Sequence, residues 1–213
     1  MSIINYFLEL KCAGDVLNSV YPFLNPEKEI TESMAIVKKL KKVLINNPNK
    51  YFIFDFCAGN CLTSSIIAHM FKVKHVYAID KKENKKASLS KIKNFTYHTI
   101  DFVNQKNTMI DIIKRSSPSI IVGVHACSEL SQEIVDIYKK SNSDHLFLMP
   151  CCEGTYVYKY PEFIKNKLNR YEIWCLDLCN LSDGKASVDK QCRSNKNIVI
   201  VSERKDSFDE DKK

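Results

Sequence analysis

The chain holds only five glycines in 213 residues. None of its loops carries the G-x-G-x-x-G run that lets backbone amides crowd against a pyrophosphate, which argues against a dinucleotide cofactor. No apolar stretch approaches the roughly 20 residues of a membrane-spanning helix, so no membrane role is expected. Cys-x-x-Cys spacing is absent as well. The spacing that makes a zinc assignment strong is therefore missing, and no metal is expected. No leader with a charged start and an apolar centre follows Met1, and the nine cysteines sit mostly in apolar segments. Free thiols in a reducing compartment are the expectation, hence an intracellular protein of the cytoplasm or nucleus. There is no internal repeat. The net charge of +7 admits a polyanionic partner without requiring one.

The segment Tyr51 to Leu62, YFIFDFCAGNCL, runs an apolar strand into Asp55 and then into a small-residue loop that opens a helix. Ala58 and Gly59 suit a sharp turn and close approach to a ligand. Asp80 ends the next apolar run about twenty residues after Gly59, the spacing expected of a carboxylate that accepts from ribose hydroxyls. A carboxylate at Asp55 would repel a pyrophosphate but suits the ammonium of a methionine moiety. S-adenosylmethionine therefore fits better than a nicotinamide dinucleotide. At these residues the chain resembles class I S-adenosylmethionine-dependent methyltransferases, in the branch whose motif reads D-x-C-A-G-x-G. Asp55, Cys57, Ala58 and Gly59 match it, and Cys61 stands where the last glycine is usual.

The remaining pattern alternates. Asn25 and Pro26 open a helix whose apolar face is Ile30, Met34, Val37, Leu40 and Leu44. Strands are expected at 51–54, 75–80, 95–101, 120–125, 145–149, 171–178 and 197–202. Helices are expected at 62–71, from Glu83, and at 103–115, 130–140 and 161–168. This order predicts an α/β fold, a doubly wound, mostly parallel seven-stranded sheet of the Rossmann-like kind. The last two strands lack a helix between them and suggest a closing antiparallel hairpin, a feature of the methyltransferase class. Residues 1–48 read as an N-terminal helical extension, 49–203 as the methyltransferase domain and 204–213 as a charged mobile tail.

Ligands of such sheets bind at the carboxyl ends of the strands. Those ends carry Asp55, Asp80, Asp101, His125 and Pro150-Cys151-Cys152. By resemblance, Asp101 and Phe102 stand where the family contacts adenine. A narrower resemblance covers His125 and Cys127, then Cys151 and Cys152, then Asp189, Ser194, Lys196 and Asn197, with Ser128 replacing a usual glycine and Pro26 to Glu32 matching an upstream element. It is to the methyltransferase branch containing the eukaryotic tRNA ribose 2'-O-methyltransferase. This resemblance suggests RNA chemistry without fixing the substrate, and His125, at its strand end, is the best available catalytic base or hydrogen-bonding partner for an acceptor. The lysines 81, 82, 85 and 86 could meet phosphate. Each residue also has a structural reading: Asp55 and Asp80 as helix caps, Asp101 as a turn former, His125 as an interior ring, the thiols as packing. Methylation of protein or small molecules, a catalytically inactive scaffold that assists a protein partner, and a dinucleotide-dependent oxidoreductase remain the alternatives.

Overall fold

The computed structural model describes residues 1–84, 86 and 88–204. In chain order it forms α1 (Ile3–Leu8), α2 (Ala13–Val20), α3 (Pro26–Leu44), β1 (Phe52–Phe56), α4 (Leu62–Met70), β2 (His75–Asp80) and β3 (Phe95–Thr99). There follow α5 (Lys106–Arg115), β4 (Ser119–Ala126), α6 (Glu129–Ser141), β5 (His145–Pro150), α7 (Glu162–Lys165), α8 (Arg170–Leu181), β6 (Lys185–Val188) and β7 (Ile198–Glu203).

One seven-stranded sheet runs β3-β2-β1-β4-β5-β7-β6. β1 pairs in parallel with β2 on one side and β4 on the other, β5 continues the parallel set, and β7 inserts antiparallel between β5 and β6. The doubly wound sheet with a closing hairpin is thus present. The chain builds outward from β1 in one direction and then returns to β4, so the crevice between the carboxyl ends of β1 and β4 is the topological switch point.

Alternation along the strands divides the core between two faces. Ile53, Val76, Val122 and Phe147 pack with α1–α4 through Phe7, Val16, Met34, Leu40 and Ile66. Phe54, Ile79, Ile121 and Leu148 pack with α5, α6 and α8 through Ile113, Ile134, Tyr138 and Trp174. Asp55 shares the face of Ile53, and so points a carboxylate into the layer made by α3 and α4.

Two expected elements differ. Residues 171–178 are helical, not a strand: Asn169 accepts from the Glu172 N–H while the Glu172 carboxylate accepts from the Asn169 N–H, a capping box that starts α8. Tyr171, Trp174, Cys175 and Leu178 are its buried face, at helical spacing. The outer strand of the hairpin is instead β6, short and exposed along its whole length. The polar helix expected from Glu83 falls partly on residues 85 and 87, outside the described residues, and the segment beyond holds a single 3-10 turn at Leu89–Lys91. The tail residues 205–213 also lie outside them.

Candidate cofactor and acceptor cavity

A cavity of about 410 Å³ opens at the switch point, lined by Asp55, Cys57, Ala58, Gly59 and Asn60 from the β1 end, Val124 and His125 from β4, Glu29 and Ser33 from α3, and Pro22 and Leu24. Its size falls within the roughly 300–1,000 Å³ usual for small-molecule sites.

The loop under the cavity turns three times through left-handed backbone, at Cys57 (φ 58°), Gly59 (φ 53°) and Cys61 (φ 68°). Glycine is the residue that adopts this conformation without steric cost. Both cysteines therefore occupy glycine-like geometry. Cys61 is fully buried, its thiol meeting the Gly59 carbonyl and the Asn84 side-chain amide rather than lining the cavity, whereas Cys57 does line it. Burial, with the charges of Asp80 and Asp55, pushes the Cys57 thiol up to about 12. It stays neutral.

Asp55 is 1% exposed and accepts a short hydrogen bond from Ser64 Oγ in the first turn of α4. Burial pushes its carboxyl up to about 7, against the lowering contacts from Ser64 and with a further rise from the Asp80 charge. A cation entering the cavity would restore its ionised form. Asp80 accepts from the Gly59 N–H (2.9 Å) and the Lys82 N–H (2.9 Å). Two of about four carboxylate lone-pair positions remain for a diol.

Asp80 is not itself a lining residue and reaches the cavity through its hydrogen bond to the Gly59 loop, whereas Asp101 and Phe102 do not join the cavity at all. Asp101 accepts from the Val103 and Asn104 N–H groups (3.2 and 3.3 Å) and from the Asn104 side chain (3.1 Å), which makes it the pivot of the turn before α5. Phe102 is 5% exposed and meets Phe56 edge-on at 4.9 Å. His125 stands on the cavity wall at a bulge in β4, with φ 61°. Its Nε2 makes a short hydrogen bond to Oε2 of Glu32, a carboxylate of α3 that is 0% exposed.

Glu32 as the partner of His125 was not foreseen, although the upstream segment 26–32 ends on it. Helical spacing puts Glu32 on the same face of α3 as Glu29 and Ser33, without indicating that His125 meets it. Glu29 ties the cavity rim together: it accepts from the Leu24 and Asn25 N–H groups (3.1 and 2.9 Å) and from Asn60 Nδ2 (2.6 Å). Nearby, the loops after β4 and β5 bring the thiols of Cys127, Cys151 and Cys152 within 4.8 Å of one another. All nine cysteines are free.

A mostly parallel sheet of this order, closed by an antiparallel hairpin and with a carboxylate and a small-residue loop at its switch point, has the class I methyltransferase architecture. The chain belongs to the methyltransferase-domain family: a family model of that description matches residues 27–157, more than half of its length. Methyl transfer from S-adenosylmethionine is the general chemistry of that family. No curated protein matches it. Among solved structures it is similar to a cyclopropane-fatty-acyl-phospholipid synthase-like protein from Lactobacillus casei, with 12% identity and TM-score 0.41, covering 65% of this chain and 56% of that one. It is also similar to a release-factor-specific protein-(glutamine-N5) methyltransferase from Alicyclobacillus acidocaldarius, with 10% identity and TM-score 0.43, covering 86% of this chain and 100% of that one. The chain thus spans little more than half the length of the first. Among the described residues no helix is long and apolar enough to cross a membrane.

Proposed function

We propose that the chain transfers a methyl group from S-adenosylmethionine to RNA at the switch-point cavity. The reading rests on one observation: a buried carboxylate, Asp55, and a carboxylate-held imidazole, His125, face the same cavity. The donor group fits the residues present, because Asp55 suits an ammonium, Gly59 keeps side chains out of the loop, and Asp80 keeps acceptor capacity for ribose hydroxyls. When bound, the donor supplies a sulfonium methyl, already a strong electrophile. Glu32 accepts from Nε2–H and fixes the imidazole tautomer, which leaves Nδ1 with a lone pair for the acceptor's proton. Orientation of the acceptor against the donor carries much of the remaining rate.

RNA as acceptor is supported by the net charge and by Lys81 and Lys82, exposed beside the Asp80 end of β2. Lys86 is committed elsewhere, to the Val20 carbonyl, and Lys85 lies outside the described residues. The test supplies labelled S-adenosylmethionine with total small RNA, protein and metabolite fractions, beside calorimetry of S-adenosylhomocysteine. Label in RNA is expected, with at least tenfold weaker product binding in Asp80→Ala, about 1.4 kcal/mol, and a flatter salt dependence of RNA binding in the Lys81→Ser, Lys82→Ser double variant. Label confined to protein or metabolites overturns the RNA acceptor alone. A folded protein that binds neither donor nor product overturns the whole reading and favours the scaffold.

A further inference from the structure

The three thiols beside the cavity are a second constellation that methyl transfer does not use. Cys127 Sγ lies 2.7 Å from Cys151 Sγ, which lies 3.6 Å from Cys152 Sγ, and all three fall within 4.8 Å. The backbone that carries them is fixed. The Ser128 N–H donates to the Cys152 carbonyl at 3.3 Å, stapling the loop after β4 to the loop after β5. The Cys127 and Cys151 thiols both point to the His125 carbonyl, at 3.4 and 3.5 Å. Gly154 seats the second loop against Trp174, whose ring carbons would lie 2.6 and 2.8 Å from any Cβ there.

Neutral thiols gain little from such crowding, since a thiol is a weak donor and a weak acceptor. Three thiolates would repel one another, whereas a soft divalent cation turns that repulsion into bonding. A tetrahedral zinc with Zn–S bonds of about 2.3 Å sets its sulfurs roughly 3.8 Å apart; the contacts of 2.7 and 3.6 Å lie short of that spacing, so the Cys127–Cys151 pair would open by about 1 Å to take the metal. Adjacent cysteines argue against a closed four-ligand site. They do not argue against a three-ligand one, and His125, the obvious fourth ligand, has turned its ring to Glu32. Cys127 and Cys152 are exposed, so one side of the cluster faces solvent.

We propose that Cys127, Cys151 and Cys152 form a three-thiolate site for zinc, with its fourth position open to water or an exchangeable ligand. Three protein ligands with one open position is the pattern of reactive rather than purely structural zinc. Binding releases the thiol protons to solvent as the three sulfur–metal bonds form. The proposal is independent of the methyl acceptor.

The test titrates the reduced full-length protein with cobalt(II) and follows thiolate-to-cobalt charge-transfer absorption and the tetrahedral bands in the visible. One equivalent is expected, displaced by zinc. Cys152→Ser, at an exposed position, should keep the fold by circular dichroism and weaken affinity at least tenfold. The Cys127→Ser, Cys151→Ser double variant should lose the charge-transfer band, and Cys192→Ser should keep it. No such band in the folded, reduced protein overturns the site, as does a band indifferent to the Cys127, Cys151 and Cys152 substitutions. A Cys127–Cys151 disulfide formed in air, combined with no metal uptake after reduction, overturns it in favour of a redox pair.

Discussion

Glu32 and Asp177 are equally buried, each at 0% exposure, and lie on opposite faces of the sheet. Asp177 accepts from the Val157 and Tyr158 N–H groups at 3.0 Å each and from the Tyr160 hydroxyl at 3.1 Å. Both its oxygens are used, and what they hold is the loop that returns from β5 to α8. Among the described residues Glu32 hydrogen-bonds His125 alone, and its Oε1 is buried without a partner. An incompletely satisfied buried carboxylate costs stability, so its place behind the cavity-lining His125 argues for a chemical duty. The difference separates an acid that shapes a loop from one that holds a cavity-lining ring, the ring proposed above as the proton acceptor.

The sharpest break of this pair is Asp177→Ala. Three donors lose their acceptor at once, and at about 1–3 kcal/mol for each group left unsatisfied in a buried place the variant should lose 3 kcal/mol or more. Denaturant unfolding measures it. Product binding by the fraction that remains folded should be unchanged, and a marginal stability loss would mean that water already serves the loop. Glu32→Gln is the counterpart. It keeps shape and removes the charge that steadies His125, so methyl transfer should fall about a hundredfold, roughly 2.7 kcal/mol, while the unfolding midpoint barely moves. Equal activity in Glu32→Gln would reduce the pair to packing.

How much of this was legible follows from what each residue advertises. β1, β2, β4 and β5 are apolar runs ended by turn residues, and burial on both faces makes such runs conspicuous. The segment of α8 reads as a strand because residues 171–178 are mostly apolar at strand length, yet Asn169 and Glu172 carry a capping signal that outranks it. β6 has little to advertise, being four exposed residues whose strand character comes from pairing with β7. At the site, Asp55, Gly59 and His125 could be placed by the strand-end rule. Glu32 could not be joined to His125, because the contact spans 93 residues of sequence and depends on how α3 lies across the sheet. The thiol cluster was discounted on ligand spacing, a rule that presumes a closed tetrahedral site.

Asp55 extends the comparison to an acid whose charge state is conditional. Its folded carboxyl sits at about 7, so below that pH the cavity holds a neutral acid and above it a carboxylate. A ligand ammonium binds the carboxylate. Product affinity should therefore rise about tenfold from pH 6 to pH 8, about 1.4 kcal/mol, following the ionised fraction, and level off above. Calorimetry across that range checks it, and Asp55→Asn should flatten the slope. A wild-type slope of the opposite sign would place the ammonium elsewhere.

The smallest effect concerns backbone strain on the wall behind His125. Ser128 has φ 48° and ψ −126°, a region that only glycine enters comfortably, and its hydroxyl caps no part of α6. Its structural hydrogen bonds, N–H to Cys152 and carbonyl from Ser131 N–H, are both backbone and survive substitution. Ser128→Gly removes a strain of about 1–3 kcal/mol and adds unfolded-state freedom of about 0.5–1. The net gain should be about 1 kcal/mol, which in a chain of this size raises the melting temperature by roughly 2–4 °C. Cys57→Gly relieves a milder left-handed residue at φ 58° and gives up a largely buried thiol, so its net effect should lie near zero. If Ser128→Gly melts lower than the wild type, the hydroxyl rather than the backbone holds this turn. If the two variants gain equally, the strain is a general feature of the carboxyl end of the sheet rather than of the wall that presents His125.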